Sequence, residues 1–305
     1  ITRPVTRLDH SLGVMILVDR LGGELPEQIA GLLHDVSHTV FSHVIDYVFN
    51  DHDGQSYHDQ HQEAYLSTTD IPGILARHGY DWRQFLDESR FPILEQPAPR
   101  LCADRLDYFL RDSLDLGLAT PQEVACALDH LLLADSRIVT NDLETARWLA
   151  QTYIAADEAS WANFREVGLY EAAAQAIRRA LHIGVLQEAD IWGQDRLVWA
   201  KMQSQKDEQL QQWLQLVSPA TEFVWDENQP TFRVSTKLRT IDPDVLAGSL
   251  LLPLSQLDAD FAMYRQAYLQ RKSGVWPMRA IKSPAARGKQ VSQQGIDQWE
   301  LASKS

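Results

Sequence analysis

Thiols are scarce in this 305-residue chain: Cys102 and Cys126 are the only two, and they form no CxxC pair. That excludes a disulfide framework and makes a reducing, cytoplasmic setting the expectation. Long apolar runs are missing as well. No stretch reaches the roughly 18 residues of a membrane-spanning helix, and no signal-peptide pattern is seen at the start. Basic residues fall short of acidic ones, 28 Lys and Arg against 42 Asp and Glu, for a net charge of −14. A broad electrostatic surface for nucleic acid is therefore not expected. A phosphorylated small molecule stays compatible, because a metal ion and a few placed Arg or Lys side chains reverse the sign locally.

What the chain does have is histidine in one place. Eight of its ten histidines precede residue 79. The densest stretch runs from Ala30 through Leu33-His34-Asp35 to His38, His43 and Asp46, with apolar residues between. Burying so many ionisable groups costs several kcal/mol unless each finds a partner or a metal. His10, His34, Asp35 and Asp104 form a mixed imidazole and carboxylate set suited to a divalent first-row metal or magnesium, without the thiolates of structural zinc sites. Such a set leaves coordination positions open for water and a phosphate oxygen.

The surrounding pattern is mostly helical. Ser11 to Asp19 reads as a buried helix ended by Gly22-Gly23, and Pro26 starts a second. Extended through His34, that helix would place His38 on the same face, four residues on. Residues 50 to 57 read as a loop, His58 to Ser67 as a helix, and Ile71–Leu75 and Trp82–Leu86 as short helices. Pro92, Pro97 and Pro99 interrupt the chain before a helix from Arg100 to Asp112. Pro121 opens another to Leu133, Ile138–Asn141 is a strand or turn, and Leu143 to Leu186 is helical again. Residues 190 to 217 are helical and very polar. Thr221–Trp225 and Thr231–Ser235 read as paired strands around a turn. The expected class is mainly α, as two units: residues 1–190, and a smaller α/β C-terminal region over 191–305.

Four segments carry a resemblance to a known family. Arg7-x-x-His10, Leu33-His34-Asp35-x-x-His38-x-x-Phe41-Ser42-His43, Tyr57-His58-Asp59 and Asp104-Arg105-Leu-Asp107-Tyr108-x-x-Arg111-Asp112 resemble the HD superfamily of phosphohydrolases. Within it they are most similar to the deoxynucleoside triphosphate triphosphohydrolase branch. Lys237-Leu-Arg239-x-x-Asp242-Pro243 is weakly similar to a C-terminal segment of bacterial relatives.

The resemblance implies an HD helical bundle and assigns metal ligation to His10, His34, Asp35 and Asp104. Mn, Fe, Ni, Zn and Mg all suit these ligands. It puts His38 and His58 beside the phosphates, with His61 competing for the place of His58. His43 and Asp46 would orient a catalytic histidine. Arg7 and Arg105 would meet phosphate; Tyr108 and Asp112 would lie nearer a sugar. The implied reaction is hydrolysis of a nucleotide, a dNTP first, by a metal-activated water with histidine as general acid. The alternatives are a nucleoside monophosphate phosphatase or other small-molecule phosphoesterase on the same metal site, and a non-catalytic nucleotide sensor. Relatives commonly form homo-oligomers. The chain departs from the family pattern at Ser37, Thr39 and Val40, where Gly and Gly-Pro are usual, and at Asp59 in place of Glu; these changes are expected near the phosphate-facing rim.

Overall fold

The computed structural model describes residues 5–52 and 57–282, without the side chains of His58, Asp59 and Lys282. Helix α1 (Arg7–Arg20) starts at a reciprocal cap: the Asp9 N–H donates to Thr6 Oγ1, and the Thr6 N–H donates to the Asp9 carboxylate. Helix α2 (Leu25–Leu33) carries Pro26 in its first turn and packs along α1. The buried turn α3 (Val44–Val48), α4 (Tyr57–Ser67) and α5 (Ile71–Arg77) follow, then 3₁₀ turns at Trp82–Phe85 and Glu88–Arg90. Helix α6 (Ala103–Asp115) buries Leu106, Phe109 and Leu110, each contributing about 1.5–3 kcal/mol. Asp104, Tyr108 and Asp112, spaced by four, share another stripe of it.

Next come α7 (Pro121–Asp129), β1 (Leu131–Ala134), β2 (Arg137–Thr140), α8 (Leu143–Ala156), a π-helical turn (Asp157–Trp161) and α9 (Phe164–His182). After the 3₁₀ turn Glu188–Trp192 the chain forms α10 (Asp195–Gln203), α11 (Glu208–Leu214), β3 (Thr221–Trp225) and β4 (Phe232–Val234). It ends in β5 (Asp244–Ala247), β6 (Leu250–Pro253), α12 (Leu254–Leu257), α13 (Ala259–Lys272) and β7 (Trp276–Lys282). The class is mainly α with an α/β C-terminal part, as expected.

Three sequence readings are corrected. The second helix stops at Leu33, so His34 to His43 lie in turns and His38 shares no helix face with His34. The helix expected to reach Leu133 ends at Asp129: Asp135 and Ser136 take positive φ, and this two-residue turn folds Leu131–Ala134 onto β2. The strands around residues 226–230 do not pair with each other. β7 lies between them, in the order β3-β7-β4, and takes the N–H groups of Asp226 and Thr231 on its Pro277 and Met278 carbonyls.

The other sheet has the order β1-β2-β5-β6, with β2 and β5 parallel, so strands from both sides of residue 190 share it. Two apolar clusters fill the molecule. One joins α1, α2, α6, α8 and α13; the other joins α3, α9, α10, α11 and the β3-β7-β4 sheet. The chain crosses between them from Val36, packed on the first, to Val40 and Phe41, buried in the second. His38 sits in that crossing. Among the described residues no helix is long and apolar enough to cross a membrane.

Candidate metal centre and its cavity

Three ligand-type atoms converge where α1, the end of α2 and α6 meet. His10 Nε2 lies 3.0 Å from Asp104 Oδ1, His34 Nε2 lies 3.5 Å from the same oxygen, and the two Nε2 atoms are 3.2 Å apart. Donors held at about 2.0–2.2 Å from one ion lie roughly 3.0–3.5 Å from each other, so this triangle has the size of three ligands on one metal. The far side of each imidazole is fixed. His34 Nδ1–H donates to the Gly31 carbonyl at 2.8 Å, and His10 Nδ1–H donates to Asp107 Oδ2 at 2.8 Å. Both hydrogen bonds select the tautomer whose Nε2 lone pair faces the cluster, as metal-binding histidines require.

The electrostatics favour positive charge at this point. Burial alone would push both imidazoles down, but Asp104 and Asp107 overcome it and hold His10 at about 10. Asp104 and Asp35 likewise overcome burial to hold His34 at about 9. Burial would raise Asp35, yet the charges of His38, His34 and His10 bring it to about 2. Asp104 is held well below the usual carboxylate range by its bonds to His10 and His34 against burial. A divalent ion would supply that charge in place of protons. The residues therefore fit a metal by spacing, tautomer and charge.

Asp35, the fourth expected ligand, lines the same cavity, with its Oδ1 3.8 Å from His38 Nε2. Asp107 does for His10 what the sequence assigned to no residue: its two carboxylate neighbours are His10 Nδ1 and, at 2.8 Å, Arg111 Nε. Gly13 of α1 makes this possible. A Cβ there would collide with Asp107 Oδ1 and the Arg111 guanidinium.

The cluster forms one wall of a cavity of about 400 Å³, within the range of small-molecule sites. His38 and His43 lie on its wall, their rings edge to face with centroids 5.3 Å apart. His43 Nδ1 is 3.0 Å from Asp46 Oδ2, and the other Asp46 oxygen accepts the Tyr57 N–H, so a buried carboxylate sets the His43 ring. Arg7 reaches the wall while donating to the His38 and Thr39 carbonyls at 2.8 and 2.5 Å. Tyr108 and Tyr153 share a 2.6 Å hydrogen bond between hydroxyls. Asp112 accepts from Trp161 Nε1 at 2.8 Å, and burial raises its pKa to about 6 against that bond.

Other expected contacts are placed differently. Arg105 lines the cavity, but its guanidinium also donates to Glu95 and to the Gln96 and Arg100 carbonyls. His61 is not on the wall; its ring packs against Tyr57 and Trp192, with centroids 4.5 and 5.7 Å away. The His58 side chain falls outside the described residues. Ser37, Thr39 and Val40 are buried and none lines the cavity, so these three departures from the family pattern face the interior rather than the rim; the Asp59 side chain, the fourth, falls outside the described residues. The wall also includes Tyr153, Trp161, Lys237 and Arg239. No motif announced the two aromatics; Lys237 and Arg239 stood in the C-terminal segment noted above.

The HD domain family matches residues 7–112, the span that supplies all three clustered ligands. A relative extends the match beyond that span: the metal-dependent phosphohydrolase cns2 of Cordyceps militaris is 36% identical, over 88% of this chain and 80% of its own. The chain belongs to the HD-domain metal-dependent phosphohydrolases. Another relative of this HD protein, the uncharacterized YdhJ of Bacillus subtilis, is 38% identical over 89% of this chain and 84% of its own. The same fold recurs in a hypothetical protein from Aquifex aeolicus, with a TM-score of 0.60, 17% identity and coverage of 84% of this chain and 80% of that one. It also recurs in a phosphohydrolase from Bacteroides thetaiotaomicron, with a TM-score of 0.58, 14% identity and coverage of 89% and 86%.

Proposed function

We propose that this HD protein hydrolyses the phosphoester or phosphoanhydride of a nucleotide, a deoxynucleoside triphosphate being the leading substrate. The observation that carries the reading is the charge of the cavity. Its wall holds five cations, Arg7, Arg105, Arg111, Lys237 and Arg239. It holds five acids, Asp35, Glu88, Glu95, Asp104 and Asp112. In a chain of net charge −14 this wall is balanced, and a divalent ion makes it positive. The pKa values of Glu95 and Asp112 are raised by burial, which tips it further. That suits a polyanion. Tyr108, Tyr153 and Trp161 on the same wall suit the flat faces and hydroxyls of a nucleoside.

His10, His34 and Asp104, with Asp35 beside them, would hold the metal. When bound it supplies Lewis acidity, polarising a phosphoryl oxygen and lowering the pKa of a water towards neutrality. Arg7 and Arg239 neutralise the phosphate charge that grows as the leaving group departs. His43, set by Asp46, and His38, next to Asp35, would serve as the proton donors to the leaving oxygen. Tyr108 and Asp112 orient the sugar end.

A second reading, a nucleoside monophosphate phosphatase, draws support from Arg105. Its commitment to Glu95 and two carbonyls leaves fewer cations for a triphosphate. One panel separates the readings: metal-replete protein is incubated with the four dNTPs and the nucleoside monophosphates. Tripolyphosphate release from dNTPs supports the first reading. Inert dNTPs with orthophosphate from monophosphates establish the second, and tight nucleotide binding without turnover of any compound abandons both for a sensor.

A further inference from the structure

The turn that carries His38 and His43 is not one its own sequence favours. Phe41 and Ser42 are consecutive non-glycine residues with φ of +54° and +48°. L side chains rarely take this conformation, and for a bulky aromatic it is exceptional. Such backbone persists only where the surroundings over-determine it, and it gathers at functional sites.

On one side the restraints come from a remote segment. The Val40 N–H donates to the Ile191 carbonyl at 2.8 Å. The Phe41 N–H donates to Asp195 Oδ1 at 3.0 Å. The Phe41 ring is fully buried and meets Trp199 edge to face, with centroids 6.2 Å apart. Ile191, Asp195 and Trp199 recur every fourth residue, and Asp195 is the first residue of α10. From the opposite side Arg7 grips the His38 and Thr39 carbonyls. Directly after the turn, His43 stands immediately before α3 and its Nδ1 meets Asp46. The place of His43 on the cavity wall is therefore set through a turn that the segment 191–199 holds.

We propose that Asp195, far beyond the matched HD segment, is a positioning residue for the histidine turn, acting through the hydrogen bond its carboxylate accepts from Phe41. The proposal rests on reading the cavity as a phosphohydrolase centre. Asp195 is not among the residues that line the cavity; it fixes the backbone from which His38 and His43 project.

The test compares Asp195→Ala, Asp195→Asn and Asp195→Glu as full-length, metal-loaded proteins on the most active compound of the nucleotide panel. Asp195→Ala is expected to lose about ten- to a hundredfold in kcat with KM changed less than about twofold, because substrate and metal contacts stay in place. Metal content is expected to match wild type. Asp195→Asn keeps an accepting oxygen in the same place and is expected to stay within about threefold of wild-type kcat. Asp195→Glu keeps the charge but moves the oxygen by one methylene, and should resemble the alanine variant. Hydrogen exchange read on residues 38–46 should quicken in the alanine and glutamate variants and not in the asparagine one.

Wild-type kcat in Asp195→Ala overturns the proposal. So does an asparagine variant as slow as the alanine one, which would make the charge at the start of α10 the cause. Loss of metal together with kcat overturns it too, as general damage to the site. If the alanine variant does not fold, the asparagine and glutamate pair decides by the same criteria. If the wild-type protein hydrolyses no phosphate compound, the functional reading fails, and the exchange comparison still tests the positioning claim.

Discussion

Replacing Asp157 with asparagine should make the protein more stable relative to wild type as pH rises. Asp157 begins the π-helical turn and is fully buried. Its Oδ2 accepts the Arg239 N–H at 2.9 Å and the Tyr268 hydroxyl at 2.8 Å, so it anchors the segment that brings Arg239 to the cavity. Among the described residues its Oδ1 accepts no hydrogen bond. Burial lifts its pKa from 3.8 to about 6, against the charge of Arg239. The folded chain therefore holds this proton more tightly than the unfolded chain. The resulting stability is complete below pH 3.8 and is lost as pH climbs through about 6. A shift of about two units corresponds to about 3 kcal/mol, of which about 2 kcal/mol falls between pH 4.5 and 7.5. Asparagine has no proton to lose, and its amide oxygen can still accept both bonds. Urea unfolding of both proteins at pH 4.5, 5.5, 6.5 and 7.5 gives the difference in stability, in which other titrating groups cancel. That difference should move by about 2 kcal/mol towards the variant, most of it below pH 6.5. A difference independent of pH would refute the reasoning.

Asp107→Asn should weaken divalent metal binding about ten- to a hundredfold in calorimetric titration, because the His10 ring loses the negative charge behind its Nδ1–H that makes it a stronger ligand; unchanged affinity would show that this charge plays no part in holding the metal. Gly13→Ala should lower thermal stability and metal retention together. An alanine inside a helix ordinarily gains about 0.5–1 kcal/mol over glycine, but here its Cβ meets the Asp107 and Arg111 side chains. A variant that melts higher and keeps its metal would contradict that packing. Arg239→Ala should raise KM for a phosphate substrate about tenfold or more while leaving bound metal at the wild-type level, measured by steady-state kinetics and elemental analysis.

Much of the site was legible because its chemistry is written in side-chain type. His34-Asp35 after an apolar run and Asp104-Arg105-Leu-Asp107-Tyr108 on a helix with its own buried face point to the cluster by residue type alone. What spacing could not show was direction. His38 at four residues from His34 looks helical in sequence, but α2 ends at Leu33 and packing against the second core turns the chain away. Asp107 reads as an ion-pair partner of Arg111, and only the close approach of α1 at Gly13 makes it the carboxylate behind His10. β3 and β4 look like a hairpin because a polar turn separates them, yet β7, which follows α13, inserts between them. The clamp of Ile191, Asp195 and Trp199 on the histidine turn is a tertiary contact with no local signature.

The central claim is that His10, His34 and Asp104 hold a divalent ion that the hydrolysis needs. It is tested most directly by measuring metal content and phosphate release on the same preparations of wild type and Asp104→Ala. Metal should be stoichiometric with the wild-type chain. The variant should carry little metal and show at least a hundredfold less hydrolysis, with both proteins folded by circular dichroism. Full hydrolysis by an Asp104→Ala protein stripped of metal would contradict it.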